Sequence, residues 1–481
     1  MTPRLFVVSA FLFGTIFIAI VPPFQVADEF NHFYRAWQVS DGIFVGVRTA
    51  DNRLGGDLPT SVVKIAEPFR SLPFQPNNRI KSSTIFDNLL TPLEAEKSQF
   101  ADFTNTAVYA PTAYLPQSLA ILVGKFLKIG PLSIFYFARF FTLIFWLSMI
   151  YAALKIIPIK NNLFTALALL PSSLFINASA SGDVVTNASS FLLIALFLTL
   201  ILEKKSDNSR QTLTFFSLVS VLSIVISLNK PAYFPLIFLI FLIKKEHVNG
   251  LKNKLMVAAT LIAANAVAVV LWAKKIQPLY IKYEDYHPVF RIGQQLNEQV
   301  DPAAQIAFSL NNPLIFGKIA IFSLLKTFPS TLVHYVGKFG WEKNYLPLPI
   351  IAILVLLILI QACFEEKSPI SAANFPVPNP QKGPLSIKAK FGFLGVACLM
   401  TFSFAAAMYA IWCPVGSPFI ENLGGKYFIP IYPLFFLALP RFDGSKSRVL
   451  GYLAQPKVLY GALYLSLLWS IVQVILRYYT W

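Results

Sequence analysis

Charge is what this 481-residue sequence is short of: 13% of its residues are Asp, Glu, Lys or Arg, against 56% apolar. Soluble domains carry roughly twice that share of charge, which excludes the soluble globular class. Several apolar runs approach the length that crosses roughly 30 Å of hydrocarbon, so the expectation is an all-α polytopic membrane protein. Cysteine is scarce too. Cys363, Cys398 and Cys413 are scattered, two of them in or beside apolar runs, which excludes a disulfide framework and a cysteine zinc site. Of the four histidines, His32, His287 and His334 share no metal-ligand spacing, so a divalent metal has no support in the sequence. Acidic residues are fewer than basic ones, 23 against 40, for a net charge of +17. In a soluble protein that excess would suggest nucleic acid. Here Lys and Arg cluster in short loops between apolar runs, as positive-inside topology requires, and nucleic-acid binding is set aside.

The first apolar run, 5–21, lacks a small-residue cleavage site before Pro22-Pro23 and reads as a retained first helix. A long polar segment follows to about 106, rich in Pro, Asn and charge, and reads as a folded loop with short helices. The run 108–127 carries Pro111, Pro116, Tyr109, Tyr114 and Gln117 and is barely long enough to span. Charge parity decides its placement. If it lies in the interface, spans fall at about 132–154, 163–181, 184–202, 211–229, 232–243 and 253–273. Arg4, Lys155/Lys160, Lys204/Lys205/Arg210 and Lys244/Lys245/Lys252/Lys254 then all share one face. The run 313–335, broken by Lys318, Lys326, Pro329 and His334, reads as a second interfacial helix. Further spans follow at about 346–363, 391–411, 427–440 and 457–476. The expected layout is a single transmembrane domain of about eleven spans with a cytoplasmic amino terminus. Its outer loops are 23–131 and 274–345, and 364–390 is cytoplasmic. No internal repeat is evident, which counts against an inverted-repeat transporter.

Under this topology the polar groups gather on the outer face. The adjacent carboxylates Asp28 and Glu29 leave the first helix with His32, Tyr34 and Arg35 close behind. Carboxylates at such a position are costly to desolvate and are more often kept for chemistry than for stability. Asp183 follows a run of small residues, 178–182, at a second outer turn. Lys230, in Asn229-Lys230-Pro231-Ala232-Tyr233, breaks the inside bias of the other lysines and invites an anionic partner. Gly424-Gly425 precedes Lys426 and Tyr427 at the start of a helix, and Arg139 sits near the outer end of the second helix. Carboxylates that accept a proton and cations that hold a phosphate are both needed by a sugar-phosphate substrate. Each residue also has a plainer reading. Asp28 can be a solvated helix-end acid, Asp183 an N-cap, Lys230 and Lys426 snorkelling headgroup contacts, and His32 a packing residue.

The segments Pro23, Asp28, Glu29, His32 (PxxxxDExxH) and Tyr109 to Gln117 (YxPxxYLPQ), with LLPSSLFINASASGD at 169–183, carry a resemblance. So do NKPAYFPL at 229–236, FGWxxxxLP at 339–347 and GGKYFIP at 424–430. In their order and spacing they resemble a bacterial group within the GT-C superfamily of membrane glycosyltransferases, and the resemblance covers nearly the whole chain. It implies a polyprenyl-phosphate-sugar donor, an acid of the first outer loop as catalytic base, and inverting transfer on the outer side of the inner membrane. Carried over, Asp28 or Glu29 matches the first-loop acid and Asp183 the second. The last motif usually reads GRY; here it is Gly425-Lys426-Tyr427, which keeps the charge and loses the bidentate fork. Size and layout are also similar to serotype-converting glucosyltransferases that decorate lipopolysaccharide O-antigen.

The expectation is therefore transfer of one sugar, such as glucose, from undecaprenyl phosphate to a surface polysaccharide. Asp28 or Glu29 is the catalytic candidate, with His32, Tyr34, Asp183, Tyr233 and Tyr427 toward substrate. Arg139, Lys230 and Lys426 are the candidates for the phosphate. No cofactor is called for, and a flippase and a polyprenyl-phosphate sugar synthase are the expected functional partners. A lipid-linked sugar flippase and an O-antigen polymerase or ligase are the rival readings. The flippase should set charges along a midplane pathway, and the polymerase should carry Arg-rich outer loops, whereas Arg is sparse here outside the first loop.

Overall fold

A computed structural model describes residues 1–94, 96–202, 209–294, 296–341, 344–364, 385–441 and 447–480. Prolines set where many helices begin. Pro3, Pro131, Pro171, Pro302, Pro313 and Pro456 each take the first helical position, where the missing N–H has no partner to lose and φ is already helical. Among the described residues, eight helices are long and apolar enough to cross a membrane. Two shorter apolar helices, Pro231–Leu242 and Leu348–Cys363, join them. Asp183–Leu202 is enclosed on every side by its neighbours, chiefly Pro131–Ile156 and Ser209–Asn229. Most of the expected cytoplasmic loop 364–390, together with Lys204, Lys205 and Lys446, lies outside the described residues.

Several expected elements differ in detail. The helix expected at 163–181 is two, Asn161–Leu169 and Pro171–Asn177, because Pro171 forces Leu170 out of the helical region, to φ −52° and ψ 137°. The segment expected at 232–243 is a 3₁₀ helix, Pro231–Leu242, with Pro235 inside it. A 3₁₀ rise of about 2.0 Å per residue carries twelve residues roughly 24 Å, further than an α-helix of equal length. The helix expected at 427–440 is a 3₁₀ turn, Gly425–Phe428, and a short helix, Tyr432–Ala438. The run at 108–127 folds as a 3₁₀ turn, Pro111–Tyr114, and a twelve-residue helix, Leu115–Phe126. At about 1.5 Å per residue it reaches roughly 18 Å and cannot cross. The helix Pro313–Gly337, by contrast, runs unbroken through Pro329 and counts among the eight by length and composition.

The first polar segment is not wholly helical. Strands β1 (Val47–Arg48), β2 (Leu54–Pro59) and β3 (Ser98–Asp102) form an antiparallel sheet in that order, with Gly55 opposite both Val47 and Asp102. The helix α1 (Pro3–Ile20) leads into this region, and α2 (Glu29–Ser40) packs against β2.

Helix ends meet at two levels. At one, the Met1 amino group donates to Asn162 Oδ1 (2.9 Å), Lys160 to the Ala362 carbonyl (2.9 Å), and Lys244 Nζ to the Leu202 carbonyl (2.8 Å). At the other, Arg477 donates to the carbonyls of Leu72, Gln75 and Asn78, and Trp272 Nε1 to Val108 O (3.0 Å). The helix Pro313–Gly337 packs its Phe316 on Phe402 and Tyr409 of Ile387–Trp412 and meets the segment that follows that helix. Ser323 Oγ accepts from Ile420 N (2.9 Å) and Thr331 Oγ1 donates to Leu423 O (2.9 Å), both beyond the end of Ile387–Trp412.

Candidate functional site

The chain leaves α1 through Pro22-Pro23 and reaches Asp28 in the left-handed region, at φ 68° and ψ 4°. Aspartate tolerates this conformation better than most residues, and non-glycine residues held there cluster at functional sites. Asp28 stands at the N-cap position of α2 yet makes no side-chain cap bond. Its carboxylate turns instead to Lys426, with Oδ2 2.8 Å from Nζ. Lys426 lies 3.8 Å from Asp183 Oδ2, and Asp183 Oδ1 lies 2.5 Å from Lys230 Nζ. Four groups distant in sequence thus form a chain of alternating charge, Asp28–Lys426–Asp183–Lys230, with no net charge.

Each member is delivered by a break in regular structure. Asp183 opens its helix, but the capping is done by Ser181, whose Oγ accepts from the Asp183 N–H (3.2 Å), so the carboxylate is spared for Lys230. Lys230 is the extended residue between Asn229 and the proline that opens the 3₁₀ helix, at φ −144° and ψ 93°. Lys426 rides on the turn Gly425–Phe428, which lies against the helix Pro313–Gly337. A Cβ on Gly425 would sit 2.4 Å from both Thr331 O and Tyr335 N, whereas one on Gly424 would meet only the Tyr427 ring, at an ordinary contact distance of 3.8 Å. The Gly-Gly pair is therefore a matter of close approach at Gly425.

Aromatic rings line the charge chain. The Tyr427 ring centre is 4.5 Å from Lys230 Nζ and 5.1 Å from Lys426 Nζ, within reach of cation–π attraction. Tyr233 donates to the Tyr427 carbonyl at 2.7 Å and holds that ring's backbone. His32, one turn into α2, pairs through Nδ1 with the Tyr114 hydroxyl (2.9 Å) and packs its ring on Tyr109. On the other flank, Asn31 donates to Asn105 Oδ1 (2.6 Å) and Asn105 donates toward Asp28 Oδ1 (3.4 Å).

The electrostatics follow from burial and pairing. Burial alone would raise the Asp28 carboxyl, but Lys426, with help from His32, outweighs it and holds the group below the usual carboxylate range. The buried Lys426 ammonium is balanced by Asp28 at 2.8 Å and Asp183 at 3.8 Å. Burial pushes the His32 imidazole down to about 4 against the pull of Asp183 and Asp28, leaving it neutral near pH 7. Burial and the two nearby carboxylates also raise the Tyr109 hydroxyl. Among the described residues no group of three or more His, Cys, Asp or Glu could hold a metal ion.

Three residues expected at the site belong elsewhere. Glu29 and Arg139 are fully buried and bound to each other, Nε to Oε1 at 2.9 Å and Nη2 to Oε2 at 2.7 Å. The remaining Arg139 donors reach the carbonyls of Ile18, Val21 and Pro22, and Glu29 Oε1 also accepts from Ala180 N. No N–H of Arg139 is left for a phosphate, and no face of Glu29 is open to a hydroxyl. This pair ties the C-terminal end of α1 to Pro131–Ile156 and to the turn before Asp183. Tyr34 is buried with its ring against Phe103, on the side of α2 away from His32. Asp28, Asp183, Lys230, Lys426, His32, Tyr233 and Tyr427 do come together. Tyr109, Tyr114, Asn31 and Asn105 join them unannounced. The first two stood in the YxPxxYLPQ segment, and nothing in the sequence marked the asparagines.

None of the curated proteins and none of the solved structures matches the chain. A family model described as "Predicted membrane protein (DUF2142)" matches residues 11–435.

Proposed function

The chain belongs to the DUF2142 family of predicted membrane proteins, and we propose that it is an inverting glycosyltransferase of GT-C type acting on a polyprenyl-phosphate sugar. The observation that carries this reading is the alternating chain Asp28–Lys426–Asp183–Lys230, lined by Tyr427 and His32. It offers carboxylates to accept a proton and ammonium groups to hold a phosphate within one cluster, the two demands of glycosyl transfer. Asp28 takes the proton of the acceptor hydroxyl, and that oxygen forms the new bond to the anomeric carbon. The bond from this carbon to the phosphate oxygen breaks, and its electron pair leaves with the phosphate. Lys426 and Lys230 stabilise the charge that develops there, Asp183 holds the two lysines, and Tyr427 offers a face to the sugar.

In this reading the second level of helix ends is periplasmic and the amino terminus cytoplasmic, in an inner membrane. Eleven crossings result when the seven long helices other than Pro313–Gly337, the short helix Leu348–Cys363, the 3₁₀ helix Pro231–Leu242, the broken pair Asn161–Leu169 and Pro171–Asn177, and the short segment from Gly425 each count as one. The hydrogen bonds of Ser323 and Thr331 support setting Pro313–Gly337 along the outer interface. The acceptor is a surface polysaccharide such as lipopolysaccharide O-antigen, the sugar a hexose such as glucose. The carrier, undecaprenyl phosphate, is loaded by a synthase and brought across by a flippase. The charges lie at helix ends instead of along a midplane pathway, which favours an enzyme over a transporter.

The test is transfer of labelled sugar from purified polyprenyl-phosphate donors to isolated polysaccharide by the reconstituted protein. Incorporation that Asp28→Asn abolishes supports the assignment; no incorporation with any donor overturns it.

A further inference from the structure

The charge chain satisfies itself. Lys426 has Asp28 at 2.8 Å and Asp183 at 3.8 Å, and Lys230 has Asp183 at 2.5 Å. The four side chains are between 8% and 20% exposed, so water screens them only partly. An anion that enters brings a third negative charge to two ammonium groups. The carboxylate it displaces most readily is Asp28, because Asp28 ends the chain with one lysine partner, whereas Asp183 sits between two. Asp28 is also the least strained to release, being the more exposed of the two carboxylates.

Taking the lysines as the donor's phosphate site, we infer that donor loading arms the base: a phosphodiester that takes Lys426 frees Asp28 from its ion pair and raises its proton affinity, so anion binding and proton uptake are coupled. Paired with Lys426, Asp28 is a carboxylate kept weakly basic. With the cation engaged by phosphate and a further negative charge beside it, the same carboxylate becomes basic enough to draw a proton from an acceptor hydroxyl. The groups facing Asp28 are Lys426 from the 3₁₀ turn, Asp183 from the enclosed helix, His32 from α2, and, further off, Tyr109, Tyr114 and Tyr427. Of these only His32 and Asp183 compete for the same proton. The tyrosine hydroxyls keep theirs, and the lysines are already charged. The consequence is an order of events, in which an acceptor arriving before the donor meets a base still tied to Lys426.

The experiment uses the full chain in lipid nanodiscs and, as probe, methyl farnesyl phosphodiester, whose single charge does not titrate between about pH 4 and about pH 9. Calorimetry measures its affinity from about pH 8 down to about pH 5, and the number of protons taken up from two buffers of different ionisation heat. The expected result is affinity that is flat at the alkaline end and tightens by up to about tenfold per pH unit below it, with up to one proton taken up per probe. Asp28→Asn removes both the slope and the uptake, and His32→Gln keeps them. Probe binding by the native protein with equal affinity at every pH and no uptake overturns the coupling and leaves the donor site standing. Uptake that survives Asp28→Asn overturns the assignment to Asp28. Absence of binding at every pH overturns the phosphate site itself. The native protein's buffer comparison decides the coupling without recourse to any variant.

Discussion

Glu29→Gln is the substitution that separates architecture from chemistry at this site. It changes one oxygen to an amide nitrogen and leaves volume almost untouched, so it perturbs charge and hydrogen bonding without disturbing the packing. Glu29 and Arg139 are both fully buried, and all five guanidinium N–H groups are engaged, two by the carboxylate and three by the Ile18, Val21 and Pro22 carbonyls. The variant leaves the Arg139 charge without a counter-ion in a site water does not reach, and turns an N–H donor toward another donor. Removing one partner of a buried pair costs about 3–5 kcal/mol, a large share of the roughly 5–15 kcal/mol that holds a typical domain. Glu29 Oε1 also receives Ala180 N, three residues before Asp183, so the turn that presents Asp183 loosens as well. The assay is thermal unfolding of the detergent-solubilised protein by tryptophan fluorescence, with Asp28→Asn beside it. At Asp28 the expected loss is smaller than at Glu29, because that pair is about a fifth exposed and Lys426 keeps Asp183 at 3.8 Å. Arg139→Met alone is destabilising too, and the double variant Glu29→Gln/Arg139→Met loses less than the sum of the two, as coupled neighbours do. A Glu29→Gln protein as stable as the native one, and inactive in transfer, would falsify the structural role and return Glu29 to the chemistry.

Other consequences are equally direct. Gly425→Ala drives a methyl group into the Thr331 and Tyr335 backbone and is expected to cost transfer activity at least tenfold through displacement of Lys426. Gly424→Ala, whose methyl group meets the Tyr427 ring at an ordinary 3.8 Å, leaves activity within about twofold, and equal effects of the two would refute the close-approach argument. Lys426→Met weakens binding of a polyprenyl phosphate at least tenfold, while Lys426→Arg keeps most of it because the charge near Asp28 survives; titration of the solubilised protein compares them. His32 gives a pH signature in stability. Its folded-state value of about 4 lies below the ordinary 6.5, so between those values the unfolded chain holds a proton that the folded chain does not. Stability therefore falls as pH drops through that window, and His32→Gln should flatten that part of a melting-temperature profile, an unchanged slope counting against it.

Much of the architecture was legible because it is written locally. Apolar runs mark the long helices, and among the described residues eight are long and apolar enough to cross a membrane. Where the reading slipped, proline was the reason. Pro171 divides one expected helix, Pro235 sits within a 3₁₀ segment, and Pro329 fails to break the helix it lies in, whose neighbours hold it. The sheet β1–β2–β3 went unseen, since strands of two to six residues carry too short an alternation to register.

At the site, the sequence by itself determined which polar groups stand at the turns: Asp28, Asp183, Lys230 and Lys426 each sit beside a helix end that apolar periodicity locates. Only the tertiary structure decided how they are used. Asp28 and Glu29 are neighbours, yet successive helical residues point about 100° apart. One therefore meets Lys426, 398 positions away, and the other Arg139, 110 positions away. Arg139 looked like a phosphate ligand because its position near a helix end was visible and its partner was not. Side-chain pairing across such separations depends on how helices pack, and no local pattern encodes it.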